Sequence, residues 1–85
     1  EWFFKAILSL KTDEDCARFF EDVATIGEVQ AMAQRLHVAK LLNDGCKYSD
    51  VAEVTGASTA TISRVSRCLT YGADGYKLVL GRLEK

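Results

Sequence analysis

Between Thr59 and Arg67 the chain carries Thr59, Thr61, Ser63, Arg64, Ser66 and Arg67, with the small Ala60 among them. On a helix this stretch presents short hydroxyls and two guanidinium groups along an outer polar face. Hydroxyls pair with several base edges, and a threonine methyl or an alanine side chain fits against the methyl of thymine. Arg64 and Arg67 supply charge for phosphate or a fork for guanine, and Lys47 lies just ahead, where it can touch a nucleic-acid backbone. The chemistry implied is recognition of double-stranded DNA. A helical hairpin with a solvated outer face is the plain alternative.

Such a face is useful only if it is held rigidly, and the preceding residues have the spacing of a helix-turn-helix over about 48–70. Val51 points the first helix inward, and Ala52 is small where the second helix must cross close above it. Gly56 falls where the turn needs a positive φ, which costs glycine little. Ala57, Ile62 and Val65 then supply the apolar side that seats the second helix on the first.

The remaining elements read as helices joined by short turns. Trp2, Phe3, Ala6, Ile7 and Leu10 recur at helical spacing, and Cys16, Phe19, Phe20 and Val23 form a second stripe. The spacing predicts that these aromatic residues are core. Thr12 is placed to cap the second helix, with Asp13, Glu14 and Asp15 favouring its positive end. Thr25 and Glu28 have the spacing of a capping box. They open a long helix, apolar around much of its girth, that runs to about Asn43 before Gly45. A short helix from about Ser49 to Thr55 follows, and Ser58 or Thr59 caps the next, which Gly72 closes. Asp74 is expected to start a last helix with Tyr76, Val79, Leu80 and Leu83. No run shows the sustained alternation of a strand, so the fold class expected is all-α with six helices in a single domain spanning 1–85.

Composition narrows the function further. The net charge is −1 over 85 residues, which rules out a uniformly basic nucleic-acid binder. The charge is nevertheless polarised: residues 1–32 hold three cationic against seven anionic side chains, and residues 33–85 hold eight against five. A local phosphate-binding face fits the basic rear. Three widely spaced cysteines, Cys16, Cys46 and Cys68, with a single histidine, His37, offer no metal-ligand spacing, so no metal is expected. Reduced thiols point to a cytoplasmic protein. The start of the chain, Glu1-Trp2-Phe3-Phe4-Lys5, lacks the features of a secretory signal. No apolar run approaches the roughly 18 residues of a membrane span. Neither a nucleophile–histidine arrangement nor a phosphate-cradling glycine loop nor a carboxylate pair stands out, so an enzyme is not expected. Six short helices in so small a chain expose much apolar surface, which a homodimer would cover. The competing reading is a helical protein-interaction module without DNA binding.

Beyond these local signals, the chain resembles the Trp repressor family, and within it the TrpR-like YerC/YecD branch. The resemblance covers nearly the whole chain and is carried by Gln34-Arg35-Leu36, by the run from Gly56 to Arg64, and by Tyr71-Gly72-Ala73-Asp74-Gly75, with Phe19-Phe20-Glu21-Asp22 in support. It implies an intertwined homodimer of six-helix subunits, and the expected function is that of a transcriptional regulator, a repressor. The two recognition helices would enter successive major grooves. Thr59, Ala60 and Ser63 match positions that face DNA in that family. Ser49 and Ala52 replace basic residues that the Trp repressor carries on the first motif helix. The resemblance also implies an effector site in which two arginines, matched by Arg35 and Arg64, sandwich an indole. Val65, however, replaces the glycine that lets the ligand lie close, and Cys68 replaces a serine that helps bind its amino group. Overpacking by Val65 predicts that tryptophan is not bound in the family's manner, and no cofactor is expected.

Overall fold

The computed structural model describes residues 1–84. Six helices follow one another: α1 (Trp2–Leu8), α2 (Asp13–Val23), α3 (Ile26–Asn43), α4 (Tyr48–Thr55), α5 (Thr59–Tyr71) and α6 (Gly75–Leu83), with no strand among the described residues. The chain forms two compact units, Glu1–Gln30 and the residues from Ala31 on.

The first unit is built from local signals. The Glu1 carboxylate accepts from the Phe3 amide and more weakly from that of Phe4. Asp15 N–H donates to Thr12 Oγ1 at 3.0 Å, and Lys11 N–H donates to the Asp15 carboxylate at 3.1 Å, so α2 opens with a reciprocal cap. The Thr25–Glu28 box forms as its spacing predicts: Thr25 N–H donates to Glu28 Oε1 at 2.8 Å and Glu28 N–H to Thr25 Oγ1 at 3.1 Å. The Thr25 amide, and after it the Thr25 hydroxyl, hold the Glu28 carboxyl below its ordinary pKa. The rings of Phe3 and Phe19 lie 6.2 Å apart, and Phe19 meets Phe20 edge-on at 5.3 Å.

These aromatics do not make the core that their spacing predicts. Trp2 is 88% exposed and Phe4 61%, Phe3 is also exposed, and no residue of α1 or α2 is buried. A helical stripe fixes which face is apolar and leaves open what covers it. A helix of seven residues and one of eleven are too short to bury each other's rings.

Among the described residues the buried core lies in the second unit: Val38 and Ala39 of α3, Val51 of α4, Ala57 of the turn, Ile62 and Val65 of α5, and Leu80 of α6. Leu36, Leu41, Leu42, Leu69 and Tyr76 close around it. The end of α3 folds back through two bonds, Gly45 N–H to the Leu42 carbonyl and Cys46 N–H to that of Leu41, the pattern of a Schellman stop. Lys40 Nζ lies 2.8 Å from Asp44 and 3.6 Å from Glu84, which ties the end of α6 to α3, and both carboxylates raise its pKa, Asp44 more than Glu84. One helix start differs slightly from expectation, and another forms as expected but without a side-chain cap. Tyr48, one residue before Ser49, begins α4. Asp74 precedes α6 in the left-handed region at φ 62° and makes no side-chain cap bond.

Two glycines are required for different reasons. Gly56 has φ 71° with open space around a hypothetical Cβ, so only backbone strain opposes substitution. Gly72 has an ordinary φ, but a Cβ there would overlap the Cys68 carbonyl oxygen, which its own N–H binds at 2.9 Å. Gly56→Ala should therefore cost about 1–2 kcal/mol. Gly72→Ala should cost more, because the end of α5 must shift to admit the methyl. Urea unfolding of the two variants checks the order, and a larger loss at Gly56 would contradict it.

Candidate nucleic-acid interface

The helix-turn-helix expected from the sequence lies in the second unit. Lys47 stands in the cap position of α4 in extended conformation, its side chain making no cap bond, and Val51 is fully buried one turn later. Ala52 is half-buried against the core. At the other end of α4, Gly56 N–H bonds the Ala52 carbonyl at 2.9 Å while Gly56 turns left-handed, as its position predicts. Thr55 pins the same corner: its hydroxyl donates to the Val51 carbonyl at 2.7 Å and accepts from the Ala57 amide at 3.1 Å.

Ser58, rather than Thr59, caps α5, accepting from the Thr61 amide at 3.2 Å, and its hydroxyl donates to Thr61 Oγ1 at 3.1 Å. Ile62 and Val65 are each 1% exposed and fix the inner side of α5. At 100° per residue, Thr59, Ala60, Ser63, Arg64 and Arg67 share the arc opposite that side. Thr59, Ala60, Arg64 and Arg67 are exposed and Ser63 is half-buried. Thr61 lies at the edge of the arc, half-buried, with its hydroxyl engaged by the cap. The arc therefore presents a hydroxyl and a methyl at the open N-terminal end of the helix, with two cations farther along. Neither arginine, nor Lys47, forms an ion pair among the described residues; Lys40 is the cation in both pairs found there.

Of the residues matched to an effector site, Arg35 is half-buried on α3 and Arg64 is exposed on α5; Arg35 forms no ion pair among the described residues. Val65 belongs to the core, so its isopropyl group occupies space that a glycine would leave free. Cys68 is an exposed free thiol. Among the described residues no three His, Cys, Asp or Glu side chains come together as metal ligands, and no helix is long and apolar enough to cross a membrane.

One contact has no counterpart in the sequence reading. Gln34 Nε2 of α3 donates to the Thr55 carbonyl at 3.2 Å, bridging residues 21 apart in the chain. A glutamine on a helix surface carries no spacing signal that could point to a partner so distant.

The profile of the Trp repressor protein family matches residues 1–84. YerC of Bacillus subtilis, an uncharacterized protein, is 55% identical over 82 residues, covering 96% of this chain and 79% of the relative. A TrpR-like protein from Eubacterium eligens superposes with a TM-score of 0.94 at 55% identity, covering 98% of this chain and 86% of the other. A candidate Trp repressor from Staphylococcus aureus gives the same TM-score at 46% identity, covering 96% and 82%.

Proposed function

The chain belongs to the Trp repressor family, and on that premise we propose that it is a sequence-specific DNA-binding transcriptional regulator, a repressor, that reads the major groove through α4 and α5. The observation that carries this reading is the outer arc of α5. Thr59, Ala60, Arg64 and Arg67 are exposed on a helix whose Ile62 and Val65 are buried in the core, so small polar groups and charge are presented on a fixed support. In helix-turn-helix proteins the recognition helix presents its N-terminal residues to base edges while the first helix crosses the backbone. In this reading Thr59, Ala60 and Ser63 meet bases, with Thr61 at their edge, and Lys47, Arg64 and Arg67 meet phosphate or guanine.

The regulator acts as a homodimer in this proposal, with residues 1–85 as one Trp-repressor-like domain per subunit. The support is the apolar surface left open in both units: Trp2, Phe4, Leu8 and Ile26 in the first, Leu78, Val79 and Leu83 in the second. Two linked half-site contacts raise avidity without new chemistry, which suits a chain of near-neutral charge. The exposed thiols fit a reducing cytoplasm, and the protein acts as a binder and not as an enzyme.

The family's indole site does not fit this chain. Arg64 matches one arginine of that site, but Val65, where the family has a glycine, is a core residue. Isothermal titration with L-tryptophan should give no saturable heat at micromolar concentrations, whereas one site per chain at that affinity would contradict the assignment.

The DNA-binding reading is tested by replacing Arg64 and Arg67 with alanine together. Both side chains are exposed and free of ion pairs among the described residues, so stability should stay within about 0.5 kcal/mol of the parent. Affinity for a selected DNA site, measured by fluorescence anisotropy, should fall by at least tenfold. For every phosphate that the variant no longer neutralises, the slope of log K against log salt should become shallower by about 0.9. Unchanged binding and slope would contradict the proposal and favour a protein-interaction role.

A further inference from the structure

We infer that Gln34 is a positioning residue for the recognition helix, fixing from α3 the corner through which α4 hands its orientation to α5. The inference rests on the DNA-binding reading for its consequence, while the clamp itself rests on geometry alone. Thr55 is the last residue of α4, and its carbonyl belongs to the final turn, where helices leave their carbonyls without intrahelical partners. Gln34 Nε2 fills that vacancy at 3.2 Å from a half-buried site on another helix.

The carbonyl is not isolated. The same Thr55 gives its hydroxyl proton to the Val51 carbonyl and receives the Ala57 amide on that hydroxyl. Three bonds therefore meet at one residue: one to the body of α4, one to the turn, and one to α3. Only the last comes from outside the motif. Without it the α4–turn corner is braced by contacts local to itself and by apolar packing. Apolar packing resists separation but is non-directional, so it holds a tilt less firmly than a hydrogen bond whose donor and acceptor must align.

The consequence is specific. Bonds to phosphate tolerate small rotations of a helix, because a charged side chain follows its target. Base-edge contacts by Thr59, Ala60 and Ser63 depend on short side chains that have no such reach. Loosening the corner should thus weaken discrimination between sequences more than it weakens attachment to DNA as such.

Gln34→Met removes the donor while keeping length and apolar stem, and Gln34→Glu keeps the shape but turns a second acceptor toward the carbonyl. In the intact chain, amide hydrogen exchange at Gly56 and Ala57 should quicken about three- to tenfold in Gln34→Met, the range for loss of one net hydrogen bond, and further in Gln34→Glu. The amides of Val38 and Ala39 in the body of α3 should keep their rates. Binding is then measured, well below the melting temperature, to a site selected by the parent protein and to a scrambled duplex. The ratio of the two affinities should fall by a similar factor, with affinity for the scrambled duplex within twofold of the parent. Unchanged exchange at the turn would show that no clamp exists. Faster exchange with an unchanged ratio would make Gln34 a purely structural residue and overturn the inference. Should the parent select no site, the DNA-binding reading fails and the positioning role falls with it, while the exchange rates still decide the clamp.

Discussion

Everything proposed for this chain depends on one short reversal. Between the end of α4 at Thr55 and the start of α5 at Thr59 only Gly56, Ala57 and Ser58 intervene. Those three residues must bring Ile62 and Val65 down onto Val51 while leaving the opposite side of α5 open. They do so by dividing the work: Gly56 turns left-handed, Ala57 drops into the core, and Ser58 caps the new helix. Because the reversal is so tight, the inner and outer sides of α5 are not independent. Burial of Ile62 and Val65 settles which residues face outward, and the polar arc follows from the helical period.

The same core sets the limit of the isolated chain. Among the described residues all seven buried ones lie in the second unit, and the first unit closes caps and aromatic contacts without burying a side chain. A chain this small has little interior to share among six helices. Apolar side chains left uncovered on α1, α3 and α6 are the physical reason for proposing a dimer. The role of Val65 is a second consequence of the small core. Val65 is one of the few residues that hold α5 on the core, which is why its replacement of a smaller residue bears on the proposed loss of the family's ligand.

Much of the fold was legible in the sequence because its signals are local. The caps at Thr12, Thr25 and Ser58 are read within one turn of the chain, and the hydrogen bonds form as that spacing implies. Gly56 was legible for the same reason, since a positive φ at the corner of a helix-turn-helix favours one residue type. Other features were not legible, for reasons that are equally physical. Exposure of Trp2 and Phe4 depends on what lies outside the chain's own helices, and periodicity is silent about that. Engagement of Thr61 by Ser58 depends on a rotamer, so a threonine on the polar side of a helix wheel can still be half-buried. The bond from Gln34 to Thr55 joins residues whose proximity exists only after α3 and α4 have packed.

The candidate interface was legible as a list of residue types, and the structure turns that list into a surface. Its charge is local: Arg64, Arg67 and Lys47 lie in a unit of a protein that is slightly acidic as a whole, so the proposed binding would draw on geometry as much as on net attraction. The most direct test of the central claim is selection from a random duplex library by the purified protein at physiological salt with excess competitor DNA. The account predicts enrichment of a short, two-fold-symmetric site, to the same degree with and without added L-tryptophan. A folded protein that enriches no sequence would contradict it.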